Sequence, residues 1–481
     1  MNLTDRLSKS RYVKGLRCPR ALYLSVHRYE LATPPDTAQQ MRFDVGHRVG
    51  DLAQARYPDG ILIEEGPLEH SDAVTRTRGL IGQGAATLFE AAFTHDNVKV
   101  RVDVLRRLPE GGWELIEVKS TVGYRREKHL PDVGVQLHVL LGSGIDVRRV
   151  SLMHLDRAYV YPGGAYDPYS VLAATDVTQD AFEYVREVPL NLARMMAVLA
   201  LPDVPDRPAG VSCDRPYPCE FAEWCARGEV PVAVDGKLVT EPTVLSRLSE
   251  LPFPLYFVDF ETVNPALPLF PGTSPFQTVK VQWSVHSLDQ DGTLTHAQYL
   301  VDHARHDPAL EFMHSLFETL GASGTFVHYS TFERTALVDI ALRYPEWRQP
   351  LIERIPGFFD ALTRKLADAG VSYASLRSPR GGGLVAFDLG TRVVRDGCSH
   401  PILGPRGWSI KRAIQVLAPD LPPYDALVVS DGEQAMAATA EMLAAGTPPQ
   451  RAEQIRRDLL DYCRHDTLAM VEIYRALHSR A

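Results

Sequence analysis

Polar and apolar positions alternate in two runs within Val98–Ser120, and Pro109–Gly112 separates the runs. This alternation predicts two strands joined by a turn. A hairpin centred on that turn places Asp103 opposite Glu117, and Lys119 lies two residues further along on the same face. The hairpin therefore brings two carboxylates and an ammonium group together.

Facing carboxylates repel each other unless a cation lies between them, and oxygen ligands suit Mg2+ or Mn2+. A nearby ammonium can orient an attacking water and offset charge on a phosphate. Glu90, before the hairpin, and Gln136, after it, are candidates for a further acid and a substrate-contacting amide. The alternative is a surface hairpin that carries salt bridges, because a D…ExK pattern is short and common.

A second acidic set lies in the C-terminal half. Asp259 and Glu261 are two residues apart at the end of an apolar run that reads as a strand, so they point to the same side. Tyr462 and Asp466 are one helical turn apart. Glu333 follows a predicted strand at the start of a helix, where the pattern Ser-x-x-Glu is also a capping box.

Three cysteines follow one another with five residues between neighbours: Cys213, Cys219 and Cys225. A fourth, Cys18, follows a basic segment near the N-terminus. Four thiolates can hold either a 4Fe-4S cluster or a tetrahedral zinc ion. The spacing differs from the paired C-x2-C of common zinc ribbons, which favours the iron-sulfur cluster.

The periodicity predicts an α/β protein with two domains. We expect domains at residues 1–230 and 251–481, joined by a linker at 231–250, and a flexible loop at Gly381–Gly383. In the first domain the predicted helices are at 11–29, 37–57, 131–143 and 177–200, and the strands at 60–64, 87–93, 98–108, 113–119 and 148–155. In the second the predicted strands are at 255–261, 279–287 and 324–328, and the helices at 307–320, 331–343, 409–418, 432–445 and 450–478.

The 481 residues are too many for one ordinary core, and the hydrophobic content of 45% is normal for soluble domains. A net charge of −9 argues against a surface that coats nucleic acid nonspecifically, although a local basic strip can still follow phosphates. The sequence has no apolar run long enough to span a bilayer, and six cysteines are too few for a disulfide scaffold. We therefore expect a cytoplasmic protein.

Residues 1 to about 230 resemble the RecB-like PD-(D/E)xK nucleases that carry an iron-sulfur cluster, such as the CRISPR-associated exonucleases. The resemblance implies a restriction-endonuclease-like core in which Asp103 and Glu117 bind Mg2+ or Mn2+. It further implies that Lys119 is the catalytic lysine and that Gln136 is the motif glutamine. The cysteines that would hold a structural 4Fe-4S cluster are Cys18, Cys213, Cys219 and Cys225.

The second half resembles the DnaQ-like (DEDD) 3'-5' exonucleases of the RNase H-like fold. The resemblance implies metal ligation by four acids and a water-orienting role for Tyr462. The four acids are Asp259, Glu261, Glu333 and Asp466. Glu333 stands where that family normally has Asp. In this order, the two halves resemble a bacterial family of predicted RecB-like nucleases fused to an RNase H-like domain.

These observations predict a metal-dependent DNA nuclease that acts on single-stranded DNA or on DNA ends, with a second domain that acts on DNA or RNA. The sequence contains no P-loop, so any unwinding needs a separate helicase or another repair partner. No membrane partner is expected. The alternative is a nucleic-acid binding or repair-assembly factor in which one or both acidic sites are inactive.

Overall fold

Helices and strands alternate along the chain in the computed structural model, which describes residues 7–206, 213, 218–226, 236–379, 381–403, 408–444 and 446–480. The predicted α/β class is confirmed at this level. The chain divides into two units by its internal contacts. Unit 1 comprises Met1–Pro231, Ala266–Pro268 and Ser274–Phe276, and unit 2 comprises Val232–Pro265, Leu269–Thr273 and Gln277–Ala481. The assignment of these units to nuclease families stays a prediction.

Unit 1 is built on a mixed sheet with helices before, between and after its strands. Its elements are β1 (Leu7–Ser8), α1 (Lys9–Arg17), α2 (Pro19–His27), α3 (Thr37–Ala55), β2 (Ile61–Leu62), α4 (His70–Gly82), β3 (Thr87–His95), β4 (Val98–Arg107), β5 (Trp113–Val122), α5 (Arg126–Gly142), β6 (Val147–Leu155), α6 (Pro168–Val171), β7 (Leu172–Asp176), α7 (Thr178–Tyr184), α8 (Val188–Leu199) and α9 (Ala222–Ala226).

The strand order in this sheet is β2-β3-β4-β5-β6-β7, and β1 pairs with β4. Strands β3, β4 and β5 form an antiparallel meander, whereas β5 and β6 are parallel and are connected through α5. Apolar residues of β4 and of α5, among them Val102 and Leu137, are buried in one cluster. The helix and the hairpin are thus held together by a shared core.

Unit 2 contains a five-stranded sheet and a long C-terminal helix. Its elements are β8 (Val239–Thr240), α10 (Pro242–Ser249), β9 (Leu255–Val263), β10 (Val279–Leu288), β11 (Leu294–Leu300), α11 (Ala309–Thr319), β12 (Ser323–His328), α12 (Phe332–Arg343), α13 (Arg348–Arg354), α14 (Phe359–Asp368), β13 (Gly383–Asp388), β14 (Cys398–Ser399), α15 (Ile410–Leu417), α16 (Gly432–Leu443) and α17 (Pro449–His478).

The strand order in unit 2 is β11-β10-β9-β12-β13, in which β9, β10 and β11 are antiparallel and β12 is parallel to both β9 and β13. Strand β9 is buried on both faces, which explains its continuous apolar run. Its odd-numbered residues, such as Phe257, pack in one core cluster with α17 residues such as Tyr474. Its even-numbered residues, such as Val258, pack in the cluster on the opposite face. Asp259 and Glu261 are odd-numbered, so they face α17.

The structure departs from the sequence predictions in several elements. The helix predicted at 11–29 is broken at Cys18, whose extended backbone precedes Pro19. The helix predicted at 177–200 is interrupted by a 3-10 turn at Val185–Glu187. Helix α4 and strands β11 and β13 were not predicted. Strand β13 begins at Gly383, within the segment expected to be a loop.

The predicted linker at 231–250 is not an unstructured connector where it is described. Residues 236–250 contain β8 and α10, and Val244 and Leu248 of α10 are buried in the unit 2 core. The two apolar residues are four positions apart, which is a helical spacing. One such pair among Pro, Gly and charged residues is too short a pattern to predict a helix. Residues 231–235 lie outside the described residues. No helix of the described chain is long and apolar enough to cross a membrane.

Candidate functional site

The β4–β5 hairpin positions the first acidic group. Val104 pairs with Ile116, and the next position in the same antiparallel register places Asp103 opposite Glu117, as predicted. The Val118 N–H donates to Asp103 Oδ2 at 2.6 Å, which fixes that carboxylate beside the neighbouring strand. Glu117 is fully buried. A buried carboxylate requires a partner, because an isolated charge in a protein interior is very unfavourable.

Glu117 has two ammonium partners. Lys119 Nζ lies 2.8 Å from Glu117 Oε1 and 2.8 Å from Asp132 Oδ2. Lys9 Nζ donates to Glu117 Oε1 at 2.8 Å and to Oε2 at 3.1 Å. Burial by itself raises the pKa of Glu117, but Lys9 and Lys119 more than offset that effect and hold the pKa well below its usual range. Glu117 is therefore ionised at neutral pH.

The pKa of Asp103 moves in the opposite direction. Burial and the neighbouring Glu117 raise it to about 7, although the ammonium of Lys9 and the Val118 amide act against this shift. Burial lowers the pKa of Lys119, yet Glu117 and Asp132 raise it well above its ordinary value. Lys119 thus stays an ammonium, which suits a charge-stabilising role better than that of a base.

Gln136 on α5 completes this group. Its Nε2 donates to Glu117 Oε2 at 2.6 Å and to the Asp132 carbonyl at 3.0 Å. Its Oε1 is buried and has no hydrogen-bond partner among the described residues. The side chain is thus anchored by its nitrogen, and its carbonyl oxygen is available to a ligand.

Glu90 lies at the position of β3 that faces Asp103, because Phe89 pairs with Val104 and Ala91 with Val102. Its φ is +55°, in the left-handed region that non-glycine residues rarely adopt. Such strain is often found at functional sites. Arg101 lies within 3.6 Å of the Glu90 carboxylate, so this acid has a partner of its own.

Sequence reasoning missed two residues of this site, Lys9 and Asp132. It left the role of Glu90 open. Lys9 was only one of several basic residues near the N-terminus, 108 residues before Glu117. It begins α1 directly after β1, and β1 pairs with β4. Lys9 therefore reaches the site because the two-residue strand β1 pairs with β4 in this register. No local sequence pattern predicts the pairing of β1 with β4.

The four predicted cluster cysteines belong to one small region of unit 1. Cys18 is buried in an apolar cluster with Phe221, and Cys219 and Cys225 pack against the same cluster. The Cys219 N–H donates to the Cys213 carbonyl at 2.7 Å. No described cysteine forms a disulfide. Two distant chain segments thus bring four thiols into one neighbourhood, a donor set that fits a 4Fe-4S cluster.

The sulfur atoms are not gathered as tightly as ligands of one small ion. Among the described residues, the groups of three ligands whose donor atoms lie within 4.8 Å of one another contain no cysteine. Basic side chains lie on the same region: Lys14 forms an ion pair with Glu220, and Arg20 lies 5.3 Å from the ring of Trp224.

The second acidic group combines β9 and α17. Carboxylate oxygens of Asp259, Glu261 and Asp466 lie within 4.8 Å of one another. In β10, Ser284 pairs with Asp259 and Gln282 with Glu261. The predicted convergence of β9 and the C-terminal helix is therefore present.

Among the described residues, no lysine or arginine forms an ion pair with these carboxylates as Lys9 and Lys119 do with Glu117. Burial and then Asp466 raise the pKa of Glu261 to about 8, and the same causes raise the pKa of Asp259 well above its usual range. Burial also raises the pKa of Asp466 to about 7. Lys411 lowers the pKa of Glu261 and of Asp466 in part. Repulsion between the ionised carboxylates is a physical reason for such a group to bind protons or cations.

Tyrosines and a cysteine surround this group. The Tyr424 hydroxyl donates to Asp466 Oδ1, and the Tyr424 ring lies edge-on to Tyr462, with centroids 6.2 Å apart. Tyr462 is buried one turn before Asp466. Cys463 is buried, and its sulfur lies 3.6 Å from Asp259 Oδ2. Tyr424 was not predicted, because it lies in a short 3-10 turn without a recognisable motif.

Glu333 lies at the start of α12 and is buried, but it is not one of the three carboxylates whose oxygens converge. Burial raises its pKa to about 8, with Asp388 and Asp466 adding to the shift and backbone amides opposing it. Its Oε2 has no hydrogen-bond partner among the described residues. Ser330 Oγ accepts from the Phe332 N–H, whereas the N-cap, Thr331, makes no side-chain hydrogen bond. The nearest basic side chain to this oxygen among the described residues is that of His328, whose Nδ1 lies 3.9 Å from Glu333 Oε2.

Residues 256–368 match the family described as "Domain of unknown function (DUF2779)". The match includes Asp259, Glu261 and Glu333, and it ends before Tyr462 and Asp466. It covers part of unit 2 and none of the unit 1 site. No curated protein matches the chain.

Proposed function

We propose that this chain is a cytoplasmic, metal-dependent nuclease that hydrolyses phosphodiester bonds in DNA. We further propose a RecB-like PD-(D/E)xK domain in unit 1 and an RNase H-like DEDD domain in unit 2. The observation that carries the proposal is the convergence of Asp259, Glu261 and Asp466, two half-buried carboxylates on a strand and one buried carboxylate on a helix, with little compensating charge among the described residues. A site of this kind is more stable with bound divalent cations.

In unit 1, Asp103 and Glu117 are the residues that would hold Mg2+ or Mn2+. Such a cation, when bound, polarises a phosphate and lowers the pKa of its water. Lys119, fixed between Glu117 and Asp132, offsets negative charge that develops on the phosphate. Gln136 Oε1 is positioned to accept a hydrogen bond from substrate or water.

In unit 2, Asp259, Glu261 and Asp466 would hold the cations, and Glu333 would be the fourth acid. Tyr462 would orient the attacking water. The raised pKa values of Glu261 and Asp466 mean that protons and cations compete for these oxygens. We propose DNA ends or single-stranded DNA as the substrate of the chain, and unit 2 is the part whose fold class serves RNA as well.

The test is a nuclease assay with Mn2+ on matched single- and double-stranded DNA and RNA. Wild type is compared with Lys119→Ala and Asp259→Ala, and exposed Lys128→Ala and Asp368→Asn are the matched controls. We expect each site variant to lose roughly 10²-fold or more of the activity that its unit contributes, whereas the controls keep it. Unchanged activity in both site variants would remove hydrolysis from both sites.

We propose that Cys18, Cys213, Cys219 and Cys225 hold a structural 4Fe-4S cluster, because they join two distant chain segments. Cys213→Ala is expected to lose both the brown colour and folding stability. Cys398→Ala is the matched control, since Cys398 is buried in unit 2. Colourless wild type that binds a zinc ion lost in Cys213→Ala would overturn the cluster assignment.

A binding or repair-assembly role without hydrolysis is the second candidate. It is supported by Lys9 and Lys119, which already neutralise Glu117 without a metal ion. In that case the protein binds nucleic acid, alone or beside a helicase, and cleaves no substrate under any divalent metal. Filter binding and cleavage measured on the same samples separate the two roles.

A further inference from the structure

We propose that His303, His306 and Glu311 in unit 2 form a zinc-binding site that is distinct from the carboxylate group of β9 and α17. The three side chains offer ligand atoms that lie within 4.8 Å of one another. The two histidines lie in the connection between β11 and α11, and Glu311 lies in the first turn of α11. The proposal is independent of the nuclease activity.

The distances match the edges of a tetrahedral zinc site. His303 Nε2 lies 3.2 Å from Glu311 Oε2, and His306 Nε2 lies 3.3 Å from Glu311 Oε1. Zinc bonds to nitrogen and oxygen of roughly 2.0–2.1 Å place neighbouring ligands of a tetrahedron about 3.3 Å apart. The imidazole rings are 4.6 Å apart between centroids. These separations are longer than those of good hydrogen bonds to a carboxylate.

Two contacts around the three ligands support the same arrangement, and a third, at His303, must be given up when zinc binds. The Tyr299 hydroxyl donates to Glu311 Oε2 at 3.3 Å, which orients the carboxylate. His306 Nδ1 lies 3.3 Å from the Asp307 carbonyl, so a proton on Nδ1 leaves the Nε2 lone pair directed at Glu311. In the absence of metal, His303 Nδ1 accepts a long 3.3 Å hydrogen bond from the Arg305 N–H. Zinc binding to Nε2 requires the proton of the ring to lie on Nδ1, so this hydrogen bond is lost when zinc binds.

The connection that carries the histidines is held at its end. Asp307 accepts from the N–H of Ala309, the first residue of α11, at 3.0 Å. The same carboxylate forms an ion pair with Arg343 and accepts from the Tyr344 hydroxyl at 3.1 Å. Because His306 is adjacent to Asp307, these contacts restrict it before any metal binds. Such pre-organisation lowers the conformational entropy that metal binding must remove.

Glu311 also lines a cavity of about 410 Å³ together with Tyr299, Asp302 and Arg456. A three-ligand site beside a cavity has room for water as the fourth ligand. Two imidazoles and one carboxylate suit zinc, whereas Mg2+ prefers oxygen ligands alone. Zinc is therefore the expected occupant even when Mg2+ is in excess.

The test uses the purified full chain in excess Mg2+, with zinc titrated against a chromophoric chelator. We expect wild type to bind one zinc ion more than the His303→Ala/His306→Ala double variant. His314→Ala is the matched control, since His314 is an exposed histidine of the same helix outside the cluster. The control is expected to keep the wild-type stoichiometry.

Glu311→Gln keeps the shape of the side chain and guards against misfolding of the double variant. It is expected to weaken zinc binding at this site at least tenfold. Co2+ provides the second measurement, because nitrogen and oxygen ligands give d–d bands without the sulfur charge-transfer band of cysteine ligands. Equal zinc stoichiometry in wild type and both variants, or cobalt spectra that only cysteine substitutions alter, would overturn the proposal.

Discussion

The two acidic groups differ in how their charge is compensated. In unit 1, Glu117 lies between the ammonium groups of Lys9 and Lys119, so its charge is matched within the chain. In unit 2, Asp259, Glu261 and Asp466 face one another, and Tyr424 donates one hydrogen bond to them. Burial acts on both groups in the same direction, yet the pKa of Glu117 falls while that of Glu261 rises.

Because of this difference, metal binding displaces different partners of the carboxylates in the two units. A cation that enters unit 1 competes with Lys9, which already contacts both oxygens of Glu117. A cation that enters unit 2 replaces protons and relieves repulsion between carboxylates. We therefore expect metal to change stability mainly in unit 2.

The largest effect that sharpens the comparison is expected from Glu333→Gln, measured in the Lys119→Ala background so that unit 2 alone contributes activity. If Glu333 is the fourth acid of unit 2, its loss lowers the cleavage rate by roughly 10²-fold. Asp339→Asn is the matched control on the same helix, since Asp339 pairs with Lys365. Equal rates in the two variants would assign Glu333 a structural role only.

The next effect is stabilisation by Mn2+. At a free concentration about 100 times the dissociation constant, a ligand adds about 2.7 kcal/mol to the free energy of unfolding. Amide hydrogen exchange should show this protection in α17, and Asp259→Asn/Asp466→Asn should abolish it. Asp103→Asn serves as the comparison. If α5 is protected and α17 is not, the contrast between the two units is reversed.

The third effect concerns pH in the absence of metal. Glu261 has a pKa of about 8 in the folded protein, above its value near 4.5 in the unfolded chain, so the folded state binds more protons between these values. The stability from this group is present below about pH 4.5 and is lost as the pH rises through about 8. Glu261→Gln keeps the shape of the protonated side chain but does not titrate. Relative to wild type, its free energy of unfolding should therefore rise by more than about 1.4 kcal/mol, the equivalent of one pKa unit, between about pH 6 and about pH 9.

Glu318→Gln, an exposed substitution on α11, is the matched control for this pH series. Chemical denaturation at each pH measures the difference between variant and wild type. A constant difference across the range would show that Glu261 titrates as an ordinary carboxyl.

The smallest effect is expected from Lys9→Met. Removal of this ammonium takes away a competing cation, so the apparent Mn2+ affinity of unit 1 should rise about tenfold, or about 1.4 kcal/mol. The measurement is a Mn2+ titration in the Asp259→Asn/Asp466→Asn background, with exposed Lys128→Met as the control. Weaker Mn2+ binding in Lys9→Met would instead mean that Lys9 holds Glu117 in its metal-binding position.

Several parts of both sites were accessible from the sequence because local geometry determines them. The turn at Pro109–Gly112 sets the register that places Asp103 opposite Glu117. The hairpin turn favours glycine at Gly112, because its φ of +78° lies in the left-handed region that other residues rarely adopt. Periods of two in a strand and of 3.6 in a helix also relate Asp259 to Glu261, and Tyr462 to Asp466.

Other parts were not accessible because they depend on packing between distant segments. Tyr424 and Lys411 reach the unit 2 acids from separate elements. The helix at Pro242–Ser249 lies within the predicted linker, because its apolar face is narrow and becomes evident only from its burial. Long-range pairing leaves no periodic signal in one sequence.

The sequence by itself determined which residue types are present and which neighbours share a face, since strand and helix periods are local properties. It determined the α/β class, the Asp103–Glu117 pairing and the four-cysteine set. Only the tertiary structure decided which charges are compensated. Lys9 reaches Glu117 from 108 residues away, whereas the unit 2 acids remain close to one another, and burial converts that difference into opposite shifts of pKa.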